Sequence, residues 1–162
     1  MEMPAWLPAM IDTSYGTDKE WDRLIARLYE IFERDFIRIQ CHFEKLRVVF
    51  DNRKIGSPYE EGFWHLVSRD DKRIKDRFFD PQRARRLPWC KPTIENSRLK
   101  DVRVWNYLEE GKRTNTYIWL VDLDYLVILQ RRKNVVFLVT AYWVDGDASR
   151  KALRKKYGKR II

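Results

Sequence analysis

The sequence is poor in the residues that build metal centres and disulfide frameworks. It has two cysteines, Cys41 and Cys90, with no Cys-x-x-Cys spacing, and two histidines, His42 and His65. A zinc-finger arrangement and a disulfide scaffold are both excluded, and reduced thiols in a cytoplasmic protein are expected. There is no His-Glu-x-x-His, no paired Cys/His set and no carboxylate cluster with a histidine partner, so neither a metal nor a cofactor is expected. No apolar run approaches the roughly 18 residues of a membrane helix, and no membrane partner is expected. The N-terminal MEMPAWLPAM lacks the basic and long apolar regions of a signal peptide. Gly/Ser linkers, repeats and low-complexity tracts are absent too. The expectation is an extension over residues 1–16 followed by one domain over 17–162, with a helical part at 17–47.

What is abundant points to a partner. Hydrophobic residues make up 44% of the 162, enough for a real core at this length. Seven tryptophans supply either core area or surfaces on which bases stack. The formal net charge of +9 favours a polyanion: RNA, DNA or an acidic protein.

The pattern of elements is that of an α+β domain. In TDKEWDRLIARLYEIFERDF, Trp21, Leu24, Ile25, Leu28 and Phe32 fall on one helical face, with Thr17 or Asp18 as cap. Residues 1–16 are either loose or packed through Trp6 and Leu7. Residues 35–47 either continue the helix or start a shorter one, and LRVVF alternates toward a strand. FWHLVSR is a short strand or a helix start, and RDDKRIKDR is a charged, solvated excursion. DPQRARRL reads as a short helix with Asp80 as cap and Pro81 at its first position. PWCKPTIEN is irregular or a single turn. VRVWNYLEE and the stretch Tyr117–Val144 then give about four antiparallel strands, the last three separated by turns at Asp122–Asp124 and Arg132–Asn134. Asp145 or Asp147 opens a short basic helix that ends near Gly158. The expected architecture is therefore an N-terminal helix or helices packed on a curved antiparallel sheet of about four strands, with a short C-terminal basic helix.

The arrangement FWHLVSR … PWCKPTIEN … VRVWNY … TYIWLVDLDYLVIL … FLVTAYWV resembles the phage-type branch of the barnase–EndoU–colicin–RelE (BECR) ribonuclease superfamily. The resemblance spans roughly residues 48–157, with His in F-W-H-L and the closing T-A-Y as its most distinctive parts. It implies metal-independent RNA cleavage by a toxin-like or phage-derived endonuclease. His65 would match the family's N-terminal catalytic histidine, and Thr140 and Tyr142 its polar pair on the last strand. Arg69 and Lys91 would be phosphate ligands. No histidine follows residue 65, a departure from barnase, which uses a second, C-terminal one.

These residue types suit the chemistry. RNA carries its own nucleophile, the 2′-OH. Cleavage needs a group to take its proton, a proton for the 5′-oxygen, and positive charge around the pentacoordinate phosphorus. A histidine near neutrality moves protons, and arginine binds phosphate bidentately. Arg83 and Arg86, in the Arg83–Arg85–Arg86 cluster, and the Arg150–Lys159 run would contact the RNA backbone. Trp89, in the irregular PWCKP segment, is the tryptophan expected to be exposed for stacking. Each feature has a plainer alternative. His65 would be a core histidine, Thr140 and Tyr142 ordinary strand residues, Asp122 and Asp124 a hairpin turn, and the arginines a solvated face. In a strand, His65 would share a face with Phe63 and Val67. An endonuclease of this kind implies an acidic neutralising partner. The alternatives are a non-catalytic nucleic-acid-binding module and a phage structural or partner-binding protein with a decayed site.

Overall fold

The computed structural model describes residues 3–71, 73 and 76–162. Helix α1 (Asp18–Glu33) starts at a threonine N-cap. Thr17 Oγ1 accepts from the Glu20 amide and donates to the Glu20 carboxylate, both at 3.1 Å. Its stripe of Leu24, Ile25, Leu28 and Phe32 is buried. Beyond it the chain widens into a π-helical turn, Arg34–Arg38, and then forms β1 (His42–Phe43) and β2 (Leu46–Val49), an antiparallel pair. The segment 35–47 thus continues the helix only as far as Arg38, as a π-turn, and the remainder is the β1–β2 hairpin and its lead-in. Glu44 and Lys45 turn the hairpin with φ of 49° and 69°, the geometry a two-residue β-loop demands.

The main sheet is built on β5 (Val102–Glu109), β6 (Arg113–Leu120), β7 (Tyr125–Arg131) and β8 (Val135–Trp143), an antiparallel meander. The domain is α+β, but the expectation of about four antiparallel strands is corrected to six, in the order β1-β2-β8-β7-β6-β5. β2 joins the edge of β8 in parallel, through Arg47↔Val135 to Val49↔Phe137. Alternation within the meander could not reveal a parallel partner so distant in sequence.

Both sheet faces are covered. On one, Ile118, Leu120, Val127, Leu129, Val136, Leu138 and Ala141 meet the apolar sides of the helices. On the other, Trp105, Tyr117, Trp119, Leu126 and Val144 pack with Leu153 of α5 (Gly146–Gly158). Lys159 stands at the C-cap of α5, one residue beyond Gly158.

Between β2 and β5 lie the parts that build the site. FWHLVSR is helix α2 (Glu61–Val67) running into strand β3 (Ser68–Asp71). Helical spacing buries Phe63, Leu66 and Val67 and leaves His65 half-buried, so the strand-face assignment is corrected. β3 pairs with β4 (Asp76–Phe79) in a separate hairpin. The described part of the charged excursion is therefore a hairpin, and Lys72, Ile74 and Lys75 lie outside the described residues. Asp80 caps α3 (Pro81–Ala84), accepting from the amides of Gln82 at 2.9 Å and Arg83 at 3.2 Å. A 3-10 turn, Leu87–Trp89, leads into α4 (Cys90–Glu95). The N-terminal segment packs onto these turns. Leu7 and Ile11 are buried, the Ile11 amide donates to the Arg85 carbonyl at 2.9 Å, and the Trp89 indole donates to the Pro8 carbonyl at 2.8 Å.

Gly62 tests the seating of α2. A β-carbon there would meet Phe50 side-chain atoms at 2.9 Å and the Asp51 carbonyl at 3.1 Å. Overpacking outweighs the gain in helix propensity, and Gly62→Ala should destabilise the fold by about 1–3 kcal/mol. The check is the urea midpoint; an unchanged or raised midpoint would show that the α2–Phe50 contact yields.

Candidate functional site

The end of α2, the start of β3 and the last strand meet at one arginine. Arg83, on α3, donates through Nη1 to the carbonyls of His65 at 3.1 Å and Ser68 at 2.9 Å, and to Thr140 Oγ1 at 3.1 Å. The Thr140 hydroxyl in turn donates to the His65 carbonyl at 3.0 Å. The contact is possible because β2 pairs with β8 only as far as Phe137. Beyond that point a bulge leaves Val139 unpaired between Leu129↔Leu138 and Ile128↔Thr140. α2 and α3 pack along the freed edge of β8.

A cavity of about 490 Å3 opens at this junction, lined by His65, Arg69, Asp70, Arg77, Arg83, Val139 and Thr140. Arg77 is braced across the hairpin. Its guanidinium donates to Ser68 Oγ at 2.9 Å, to the Ser68 carbonyl at 3.0 Å and to Asp70 at 2.5 Å. Three guanidiniums against one carboxylate give the cavity a positive lining. Arg69 is exposed. His65 Nδ1 is buried with no hydrogen-bond partner among the described residues. Burial, and then the charge of Arg77, hold the pKa of His65 below the ordinary imidazole value, with Glu61, Asp51 and Asp70 opposing. The ring is therefore neutral at pH 7 and able to accept a proton.

The expected site residues divide into those the fold gathers and those it does not. His65, Arg69, Arg83 and Thr140 share the cavity. Tyr142 stands behind it. The Arg83 guanidinium lies 5.1 Å from the centroid of its ring, but Tyr142 lines a different cavity, of about 190 Å3, between the sheet and α5. Lys91 is on α4, paired with Glu95 at 2.6 Å, and does not line the cavity. Arg86 is buried, with Trp89 and Trp143 within cation–π distance and Nη1 bonded to Gln82, so it is a structural cation and not a surface phosphate ligand. Trp89 is only 2% exposed and packs edge-on against Tyr125, which corrects its assignment as a stacking surface. Asp124 takes φ 51° in its turn and bonds Arg150 of α5 at 2.8 Å.

Arg77 was not among the expected ligands. Its signal lies in the charge order of RDD and KDR, which the register converts into the cross-strand pair Asp70↔Arg77. Among the described residues no three His, Cys, Asp or Glu side chains converge as a metal site would require, and no helix is long and apolar enough to cross a membrane. Comparison of the chain with protein-family models, with curated proteins and with solved structures gives no match.

The depressed pKa of His65 has a sign that can be tested. With the folded value below the unfolded one, the stabilisation is present above about pH 6.5 and is lost as pH falls through the folded value. Thermal unfolding of the parent should lose more ground between about pH 7 and about pH 5 than that of His65→Gln. An identical loss in both would remove His65 as its source.

Proposed function

We propose that this chain is a metal-independent RNA endonuclease of the BECR type, cleaving through the RNA's own 2′-OH. The observation that carries the proposal is the hydrogen-bonded junction of His65, Thr140 and Arg83 beside a cavity lined by three arginines. In the proposed step the neutral His65 imidazole takes the 2′-OH proton. The 2′-oxygen attacks phosphorus, the bond to O5′ breaks, O5′ takes a proton from water, and the hydroxide so formed takes the proton back from His65. The products are a 2′,3′-cyclic phosphate and a 5′-hydroxyl. Arg69, Arg77 and Arg83 stabilise the charge that accumulates on the phosphate oxygens, where a preorganised cation is most effective.

Thr140 has a narrower role than direct contact with phosphate. Its one hydroxyl hydrogen is used on the His65 carbonyl, and its oxygen accepts from Arg83. It is a positioning residue that sets the base and the phosphate ligand relative to each other. Tyr142 acts one step further out, through the Arg83 guanidinium over its ring. The charge of +9 supports RNA as the partner and an acidic protein as the natural neutraliser.

The test is incubation of purified protein with single-stranded RNA in excess EDTA. Cleavage with cyclic-phosphate ends is expected, with His65→Ala slower by about 10²–10⁴-fold. Full activity in His65→Ala, or activity that requires a divalent ion, would defeat this mechanism. Salt-dependent RNA binding without cleavage would mark a binding module instead.

A second comparison isolates Thr140. Thr140→Val keeps the shape and loses the hydroxyl, and kcat should fall by about tenfold, the worth of a hydrogen bond or two. Thr140→Ser should restore it. If Val and Ser behave alike, the hydroxyl does not position His65.

A further inference from the structure

The main sheet ends in two unequal edges. β1 is two residues long, whereas β5 runs for eight. Backbone bonds fix which residues of β5 face outward. The carbonyls of Asp101 and Glu109 accept from the amides of Val121 and Lys112, on the β6 side. The Asn106 carbonyl instead accepts from the Ile161 amide at 2.9 Å, outside the sheet. Odd-numbered residues therefore turn their backbone groups toward β6, and Val104, Asn106 and Leu108 turn theirs outward. Apart from that Asn106 carbonyl, the outward groups of these three have no backbone partner among the described residues. Such an edge is a template for another strand. The side chains say which strand fits. In RVWNYLE, residues 103–109, chemical type is mirrored about the centre. Arg103 mirrors Glu109 with opposite charge, Val104 mirrors Leu108, Trp105 mirrors Tyr107, and Asn106 lies in the middle.

We propose that β5 pairs antiparallel with β5 of a second copy of this chain, about a two-fold axis through Asn106, so that the two main sheets become one. In this register the two Asn106 residues exchange both backbone bonds, and Val104 exchanges both with Leu108 of the second copy. All of these groups already point outward. On the α5 face the exposed Arg103 stands opposite Glu109 of the second copy, and Trp105 opposite Tyr107. On the other face Val104 meets Leu108, which is exposed in the single chain. Opposite charges, aliphatic pairs and aromatic pairs placed directly across from each other each stabilise a sheet. Neighbouring registers lose this match. An axis at Trp105 sets Glu109 against Asp101, like charge against like, and an axis at Tyr107 leaves Arg103 opposite Gly111. The contact is isologous, so it closes as a dimer and does not propagate. The tail beyond α5 lies where the second strand would lie. The Ile161 bond ties it to β5, while Ile161 and Ile162 are both exposed. The tail is a guard that the second copy displaces, each chain giving up that bond for a full ladder.

The experiment is sedimentation velocity of the purified full chain over a concentration series, joined to cysteine cross-linking. The parent should form a reversible, concentration-dependent dimer. Leu108→Lys, at an exposed position, sets an ammonium group against Val104 of the second copy and should weaken the dimer by about tenfold or more. Removing Ile161 and Ile162 spares both chains the guard bond and should strengthen it by roughly tenfold. Oxidation with copper phenanthroline tests the register. Across a hydrogen-bonded antiparallel pair the two Asn106 Cα atoms stand about 5.5 Å apart, within disulfide reach. The two Leu108 positions are displaced by four residues, roughly 13 Å. Asn106→Cys should therefore cross-link and Leu108→Cys should not, although position 108 is the more exposed; the native Cys41 and Cys90 are buried. A parent that stays monomeric at about 1 mM overturns the proposal. So does a dimer in which Cys at 108 cross-links as fast as Cys at 106, the mark of random collision. If Asn106→Cys does not fold, Leu108→Lys decides: a weakened dimer upholds the pairing and an undiminished one overturns it.

Discussion

One guanidinium organises this molecule. Nη1 of Arg83 is met by three oxygens, from the last turn of α2, the first residue of β3 and the final strand. Hydrogen bonds from a charged donor are stronger than neutral ones. A cation drawn this far out of water needs them, and burial already lowers the pKa of Arg83. Asp80 steadies it from the other side, with a carboxylate oxygen 3.6 Å from Arg83 Nε while the other oxygen caps the short helix that bears the arginine. Backbone geometry and side-chain electrostatics are set together.

The sheet makes room for this junction by stopping short. β2 covers three residues of β8 and ends, and the bulge at Val139 then twists the remaining strand. A strand edge left bare is prone to pairing with other chains. Here α2 and α3 occupy it, with side-chain hydrogen bonds in place of a ladder. The candidate site residues His65, Arg83 and Thr140 thus sit on packed helices and a strand, while the charged hairpin of β3 and β4 brings Arg69 and Arg77 from the other side.

How much was legible in the sequence depended on how local the determinants were. α1 carries its own cap and stripe, and the meander carries its own alternation, so both were readable. The β1–β2 hairpin was hidden because Glu44 and Lys45 enter the left-handed region without the glycine or asparagine that normally marks such a turn. In EGFWHLV the apolar residues run together, and over seven residues periodicity does not separate helix from strand. Trp89 was misjudged because its cover comes from residues some eighty positions earlier. His65, Arg69, Arg83 and Thr140 were singled out by residue type and motif. That Thr140 reaches the backbone of His65 and not its ring follows from the bulge and the helix packing, which no spacing rule encodes.

The leading segment has a consequence for how the chain is divided. Pro8 accepts the Trp89 indole, and Ile11 donates to Arg85, two positions from the organising arginine. Residues 3–12 lie as a splint along α3 and the turn after it. Trimming the polypeptide to start at α1 would strand a buried indole N–H and open a seam beneath the cationic cluster. A fold that begins, to the eye, at its first helix is braced by what comes before it.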